Sequence, residues 1–331
     1  MKKEPILIVN EKELMDNIPL DEVLIEEIEK GFVALSDGKA TVPPIMMIPV
    51  PQRDGEVDIK SAFVHTMDLM AVKIASGFFE NPDLGLPSQS GQMLVLSTVT
   101  GMLQGVLLDN GYLTQIRTAA AGAIAAKYFA RKTIHTVGVF GSGVQARYQM
   151  EALALVRRFE RIIMFSLDPP ERKQAFVNDM KERLNVEVIV AENGADLVAA
   201  SDVVVTTTPS RKAYFSPEWV KKGLHITSMG SDAEDKQELY ADVFRKADVV
   251  ACDLLSQSTR LGELRAVKEA GIITDFSSVR EIGQVISGKK PGRQNDDEVT
   301  ICDLTGVGVQ DTMVAMLAYT LAKNKGLGIS I

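Results

Sequence analysis

From about residue 118 onward the chain alternates short β-branched runs with longer amphipathic stretches. A parallel sheet covered by helices on both faces is the architecture that accommodates this rhythm. The runs are "HTVGVFG", "RIIMFS", "EVIVA", "DVVVTTT", "LHITSMG", "DVVACD" and "EVTICDL", and a small-residue helix, "TAAAGAIAAKYFA", leads into them. Helices are predicted between the runs at 144–157, 169–185 and 234–247. The first third reads differently. "PLDEVLIEEIEKGFVALSDGKA", 19–40, has Val23, Leu24, Ile28, Phe32 and Leu35 at helical spacing and a stop at Gly38. "GEVDIKSAFV", "LMAVKIAS", "GQMLVLST" and "GMLQGVLLD" then follow as a strand meander broken by Gly, Pro, Asn and Asp turns. The last stretch, "GVQDTMVAMLAYTLAKNK", is a helix beyond the alternating region, and packing back on the first domain would make that domain discontinuous. The expectation is therefore an α/β chain with a doubly wound domain over 118–304 and a smaller α+β domain built from 1–117 and 305–331.

Composition narrows the function. With 331 residues, 46% of them hydrophobic, the chain can bury two cores. A net charge of −8 argues against nucleic acid or an anionic membrane as the main partner. "MKKEPILIVNEKEL" has an apolar run too short for a signal peptide, and no stretch approaches the roughly 18 apolar residues of a membrane span, so a cytoplasmic protein is expected. Cys252 and Cys302 sit in strand-like runs as buried thiols. His65, His135 and His225 have no metal-ligand spacing, so no metal is expected.

The turn "GVFGSGVQA" follows a predicted strand and opens a predicted helix, the context in which a G-x-G-x-x-A pattern carries information. Gly141 allows the tight turn, Gly143 lets the backbone approach a pyrophosphate, and Ala146 lets helix and strand pack closely. The first helical residues, Val144 and Gln145, add the positive end of the helix dipole. This turn is read as a dinucleotide site. The second strand ends at Ser166, with Asp168 two residues on. Asp168 favours NAD through the ribose 2′-hydroxyl, whereas Ser166 with Arg172 and Lys173 would accommodate the 2′-phosphate of NADP. A helix cap is the third reading of Asp168.

Four segments, "YLTQIRTAAAGAIAA", "GVFGSGVQA", "SMGSDAEDKQELYADV" and "GRQNDDEVTICDLTGVGVQD", resemble the ornithine cyclodeaminase and mu-crystallin family, which includes archaeal-type alanine dehydrogenase and imine reductases. Within it, "SGFFENPDLGLPSQSG" and "GEVDIKSAFV" are similar to the ectoine-utilisation branch. The resemblance implies a nicotinamide-binding domain of Rossmann type, a smaller domain for substrate and homodimer contacts, and chemistry at the C2 amine of an α-amino acid. It also implies that Lys73 and Arg117 hold the substrate carboxylate and that Asp232 is the acid/base group, with Lys73 counted in the catalytic set. Thr207, Thr208, Pro209 and Gly306 join the cofactor set. The residues also admit plainer roles: Lys73 as an edge-strand gatekeeper, Arg117 in a structural ion pair, Asp232 as cap of the helix expected near Glu234.

The pattern departs from the family at one wall. The arginine that usually follows Pro-Pro is replaced by Met47, and Asp58 stands where a longer carboxylate would hold ornithine's distal amine. L-Ornithine is thus expected to be a poor substrate, with a modified diamino acid or a cyclic imine preferred. Hydride loss from C2 gives an imine that water or the substrate's own amine attacks, so a dehydrogenase, a cyclodeaminase and an imine reductase share one site. The alternative from another class is a non-catalytic dinucleotide-binding protein of the mu-crystallin type.

Overall fold

The structure, a computed structural model, describes residues 5–331. In chain order the elements are β1 (Leu7–Asn10), α1 (Glu11–Asn17), α2 (Glu22–Ser36), β2 (Ala40–Thr41), β3 (Met46–Val50), β4 (Gly55–Val64), β5 (Leu69–Phe78), β6 (Gln89–Ser97), β7 (Leu103–Leu108) and α3 (Tyr112–Phe129). An alternating series follows: β8 (Thr136–Phe140), α4 (Val144–Val156), β9 (Arg161–Phe165), α5 (Pro170–Leu184), β10 (Glu187–Val190), α6 (Gly194–Ala200), β11 (Val203–Thr206) and β12 (His225–Ser228). The chain ends with β13 (Val249–Cys252), α7 (Leu255–Ser258), α8 (Glu263–Glu269), β14 (Arg280–Glu281), α9 (Ile282–Ile286), β15 (Thr300–Asp303), α10 (Gly308–Lys325) and β16 (Ile329–Ser330). It divides into two compact units, Met1–Arg117 with Val307–Ile331, and Thr118–Gly306.

In the first unit the sheet runs β16-β1-β7-β6-β5-β4-β2, with β3 also paired to β4. Strands β3 to β7 are antiparallel neighbours, and β1 joins β7 in parallel. One face is covered: Ala62, Val64, Ala71, Met93, Val95 and Leu107 are buried on it. Helix α10 anchors to that face because Thr312 Oγ donates to Ala62 O at 2.8 Å and accepts from Ala71 N at 3.3 Å. Its first residue must be small, since a Cβ on Gly308 would lie 2.2 Å from Ser61 O. Helix α2 starts at the Asp21 cap, which accepts from Leu24 N at 2.9 Å, and stops at Gly38, whose φ of +69° suits glycine.

In the second unit an eight-stranded sheet runs β10-β9-β8-β11-β12-β15-β13-β14, every pair parallel. Alternate residues feed two cores: Val137, Val139, Ile162 and Met164 pack with Met150 and Phe176, while Phe140, Ile163, Val204 and Ile226 pack with Phe215 and Leu264. The doubly wound reading therefore holds. The chain winds from β8 to one side through β9 and β10 and then returns to β11 on the other. That reversal creates a crevice at the carboxyl ends of β8 and β11, the usual ligand position in such sheets.

The helix expected at 234–247 is absent. A 3₁₀ turn covers only Ala241–Lys246, and the preceding segment is extended, with Leu239 bridged to Phe215 and Tyr240 N donating to Phe215 O at 3.1 Å. Its apolar residues Leu239, Val243 and Phe244 are buried, so the periodicity was a packing signal that this backbone pairing satisfies without an α-helix. Among the described residues no helix is long and apolar enough to cross a membrane.

Candidate functional site

In the second unit the turn after β8 is built as a cradle. Gly141 has φ +109°, and a Cβ there would meet Thr207 Oγ1 at 2.7 Å, so only glycine fits. Gly143 is different: its φ is −79°, and a Cβ would meet nothing within 4 Å. The space in front of it is open. Arg147 pins the turn from behind, reaching Ser142 O at 2.5 Å and Gly143 O at 3.2 Å while its Nε pairs with Asp179 at 2.6 Å. The first turn of α4, at Val144 and Gln145, presents the positive end of the helix dipole, the usual position for an anion. Ala146 is fully buried against the sheet.

Asp168 belongs to the same cradle. Its Oδ2 accepts from Ser142 Oγ at 2.5 Å and from Ser166 Oγ at 2.6 Å, and Arg172 lies 3.8 Å from Oδ1. Burial alone would raise its pKa, but the two hydroxyls and Arg172 outweigh this and hold the carboxyl below its ordinary value. It is not the helix cap, since the cap of α5 is Pro169 with no side-chain bond. An anionic carboxylate at the end of β9 suits a ribose diol and repels a 2′-phosphate.

Two further loops at this edge are tied by a residue that sequence reasoning missed. Glu238, fully buried, accepts from Thr206 Oγ1 at 2.5 Å, Thr208 N and Oγ1 at 2.7 Å, Tyr214 Oη at 2.9 Å and Gly230 N at 2.9 Å. One carboxylate thereby fixes the Thr207-Thr208-Pro209 loop after β11 and the loop after β12 that carries Asp232. Thr207 Oγ1 also donates to Phe140 O at 2.9 Å, tying the first loop back to β8. Asp232 is exposed and pairs with Lys236 Nζ at 2.7 Å. No helix starts beside it, so its cap role is ruled out. Behind these loops, burial first, then the charges of Asp253 and Glu238, push Asp303 up to about 8. Asp253 in turn accepts from Thr305 N and Gly306 N, both at 2.8 Å, setting Gly306 at φ +75°.

The first unit holds a second cluster. Lys73 lies on β5, an inner strand between β4 and β6, and only 2% of it is exposed, so it is no edge gatekeeper. Its Nζ is 3.2 Å from Asp311 Oδ1, and Arg117 Nε is 3.0 Å from the same oxygen. Arg117 Nη1 also donates to Gln310 Oε1 at 3.3 Å. The ion pair considered for Arg117 thus exists, and its partner Asp311 is another residue the sequence reading missed. The signal was an acid inside the apolar run of α10. Burial would raise Asp311, yet Arg117, Lys73 and Lys60 together hold it below the usual carboxylate range. Burial pulls Lys73 down to about 7, with Arg117 and Lys60 adding to the effect and Asp311 opposing it. Asp58 faces Met47 across β4 and β3, and Met47 is 46% exposed.

Comparison with known proteins follows the same lines. The sequence model of the ornithine cyclodeaminase/mu-crystallin family matches residues 6–326. The chain belongs to this family. It is 33% identical over 322 residues to the iminosuccinate reductase of Paracoccus denitrificans, covering 97% of this chain and 98% of that one. The structure of Thermococcus litoralis Δ1-pyrroline-2-carboxylate reductase, in complex with NADH and L-proline, superposes with a TM-score of 0.92 at 29% identity, covering 98% and 100% of the two chains. An archaeal alanine dehydrogenase dimer with bound NAD gives 0.90 at 34% identity, covering 98% of each.

Proposed function

We propose that this family member is a nicotinamide-dependent enzyme that moves hydride to or from C2 of an α-amino or α-imino acid, using NAD. The observation that carries the reading is the buried Lys73–Asp311–Arg117 cluster. Lys73 offers three N–H donors and Arg117 five, so their contacts with Asp311 leave donors for a substrate carboxylate. Asp311 holds both cations in place. The Gly141–Ala146 cradle fits a pyrophosphate, with open space at Gly143 and the α4 N-terminus supplying partial positive charge. Asp168 suits the NAD ribose, and Thr207, Thr208, Pro209 and Gly306 line the cofactor. When bound, the nicotinamide supplies or stores the hydride. Asp232 takes or returns the proton of the C2 nitrogen or of attacking water, and Lys236 Nζ, 2.7 Å away, holds its carboxylate in place. The test is purified chain with NAD+ and a panel of α-amino acids, followed by reduced-nicotinamide absorbance and ammonia release. A change in either supports an enzyme, and neither with any acid leaves the non-catalytic binding reading. L-Ornithine belongs among the poor substrates, as Met47 brings no donor to a carboxylate.

Lys73 sets a pH dependence. Its carboxylate-binding form is the ammonium, which is lost as pH rises through about 7 in the ligand-free protein. A bound carboxylate raises that value again. KM for the acid should therefore climb above pH 7, and binding near pH 8 should take up protons, measurable by calorimetry in buffers of different ionisation enthalpy. The same depression affects folding. Between about 7 and the ordinary lysine value of 10.5 the unfolded state holds the extra proton, so the Lys73 contribution to stability rises with pH across that window. A flat KM profile from pH 6 to 9 would contradict this assignment.

We infer a homodimer formed through the first unit. Met46, Met47, Ile48, Leu84, Val99 and Met102 are all at least 46% exposed, more large apolar surface than a monomer usually shows on one small unit. Light scattering should give twice the chain's 36.1 kDa. A mass of one chain at micromolar concentration would refute it.

A further inference from the structure

The loop after β12 that carries Asp232 is closed on itself and held by α8. Ser231 Oγ donates to Lys236 O at 2.9 Å, and Arg265 Nη2, from α8, donates to the same carbonyl at 3.1 Å. Glu263, the first residue of α8, meets the far end of the loop: its Oε1 accepts from Glu238 N at 2.7 Å and from Leu239 N at 3.3 Å. Helix α8 is fixed in its turn, because Asp303 at the end of β15 accepts from Glu263 N at 3.2 Å and from Leu264 N at 3.0 Å. The joint has no slack. A Cβ on Gly262 would lie 2.3 Å from Asp303 Oδ2, and one on Gly230 would lie 2.2 Å from Thr208 O and 2.5 Å from Glu238 Cδ. What sets Glu238 therefore sets both loops that its carboxylate ties.

Glu263 is 1% exposed, and its Oε2 is buried without a hydrogen-bond partner. A charged carboxylate is costly in that place. Burial, then the charges of Asp303 and Glu238, hold the acid well above its ordinary value, so the neutral form fits the position. An apolar side chain would avoid that cost, but it would leave Glu238 N and Leu239 N without an acceptor. We propose that Glu263 is a positioning residue: through the backbone of Glu238 it holds the Asp232 loop and the Thr207-Thr208-Pro209 loop in the geometry that hydride transfer requires. This rests on the reading in which Asp232 moves the proton and the Thr207-Thr208-Pro209 loop lines the cofactor.

The test compares E263L, E263D and E263Q in the full chain, by amide hydrogen exchange of the two loops and by kcat and KM with NAD+ and the α-amino acid that the wild type oxidises fastest. Leucine keeps the bulk and accepts no hydrogen bond, and aspartate keeps the chemistry one methylene short. In both variants exchange in 207–209 and 229–233 should rise while β8 and β9 stay protected, and kcat should fall about 10²-fold, the cost of a misplacement of about 1 Å. KM for the acid should change about threefold or less, because Lys73 and Arg117 hold its carboxylate. E263Q, neutral and of equal reach, should restore exchange and kcat. Wild-type exchange and kcat in E263L and E263D, a KM rise as large as the fall in kcat, a loss in E263Q equal to that in E263L, or failure of both E263L and E263D to fold would overturn the proposal. The enzymatic reading fails separately. If the wild type oxidises no amino acid, that reading falls and the exchange data alone decide the role of Glu263. Turnover that no substitution of Glu263 alters does the reverse.

Discussion

Asp232→Asn should retain binding of NAD and of the substrate acid while turnover falls by about 10² to 10⁴, the usual contribution of a positioned acid or base. Asparagine keeps the size and can still meet Lys236, so the loop after β12 remains tied through Gly230 N to Glu238. No helix begins at this position, so loss of a cap cannot explain a drop in rate. Steady-state kcat, NADH affinity by fluorescence and the melting temperature together isolate the effect. Near-normal kcat would make Asp232 a surface partner of Lys236 and nothing more.

Gly143→Val should abolish dinucleotide binding and leave the fold intact. The backbone at Gly143 is extended with negative φ, a conformation valine adopts freely, and a Cβ there meets nothing within 4 Å. Gly143 is the N-cap of α4, where valine is less favoured than glycine, so stability should fall by about 1 kcal/mol, too little to unfold the domain. The added bulk instead fills the space that a pyrophosphate would need, so cofactor affinity should fall below detection. This separates Gly143 from Gly141, where positive φ and the Thr207 contact make glycine a folding requirement. Unchanged affinity in Gly143→Val would remove the turn from the site.

Much of the scaffold was legible because local pattern and tertiary context agree. β4 spans the quoted run Gly55–Val64, α10 the run Gly308–Lys325, and the alternating strands fall within a residue or two of their apolar runs. The cradle was legible too, because its spacing is imposed by one local turn. The missed residues are those whose roles depend on distant chain segments. Lys60, on the same strand as the Asp58 already singled out, alternates with Ile59, so the sequence of β4 suggests a polar face turned to water. In the fold α10, some 250 residues later, covers that face. Glu238 sits in a run of charges typical of a solvated helix. It is instead fully buried because four hydroxyl and amide groups from two strand-end loops converge on it with Tyr214. Buried charge of this kind breaks the local rules where a site is built, and a single sequence does not reveal its partners.

The central claim is hydride transfer at C2, and isotope transfer tests it most directly. The full chain is incubated with NADH deuterated at the transferable C4 position, ammonia and a panel of 2-keto acids that includes dicarboxylic members, and the amino acids formed are analysed by mass spectrometry and NMR. The account predicts one deuterium, at C2, in the product of at least one acid. Product lacking deuterium at C2, or no product from any acid while NADH binds, would contradict it.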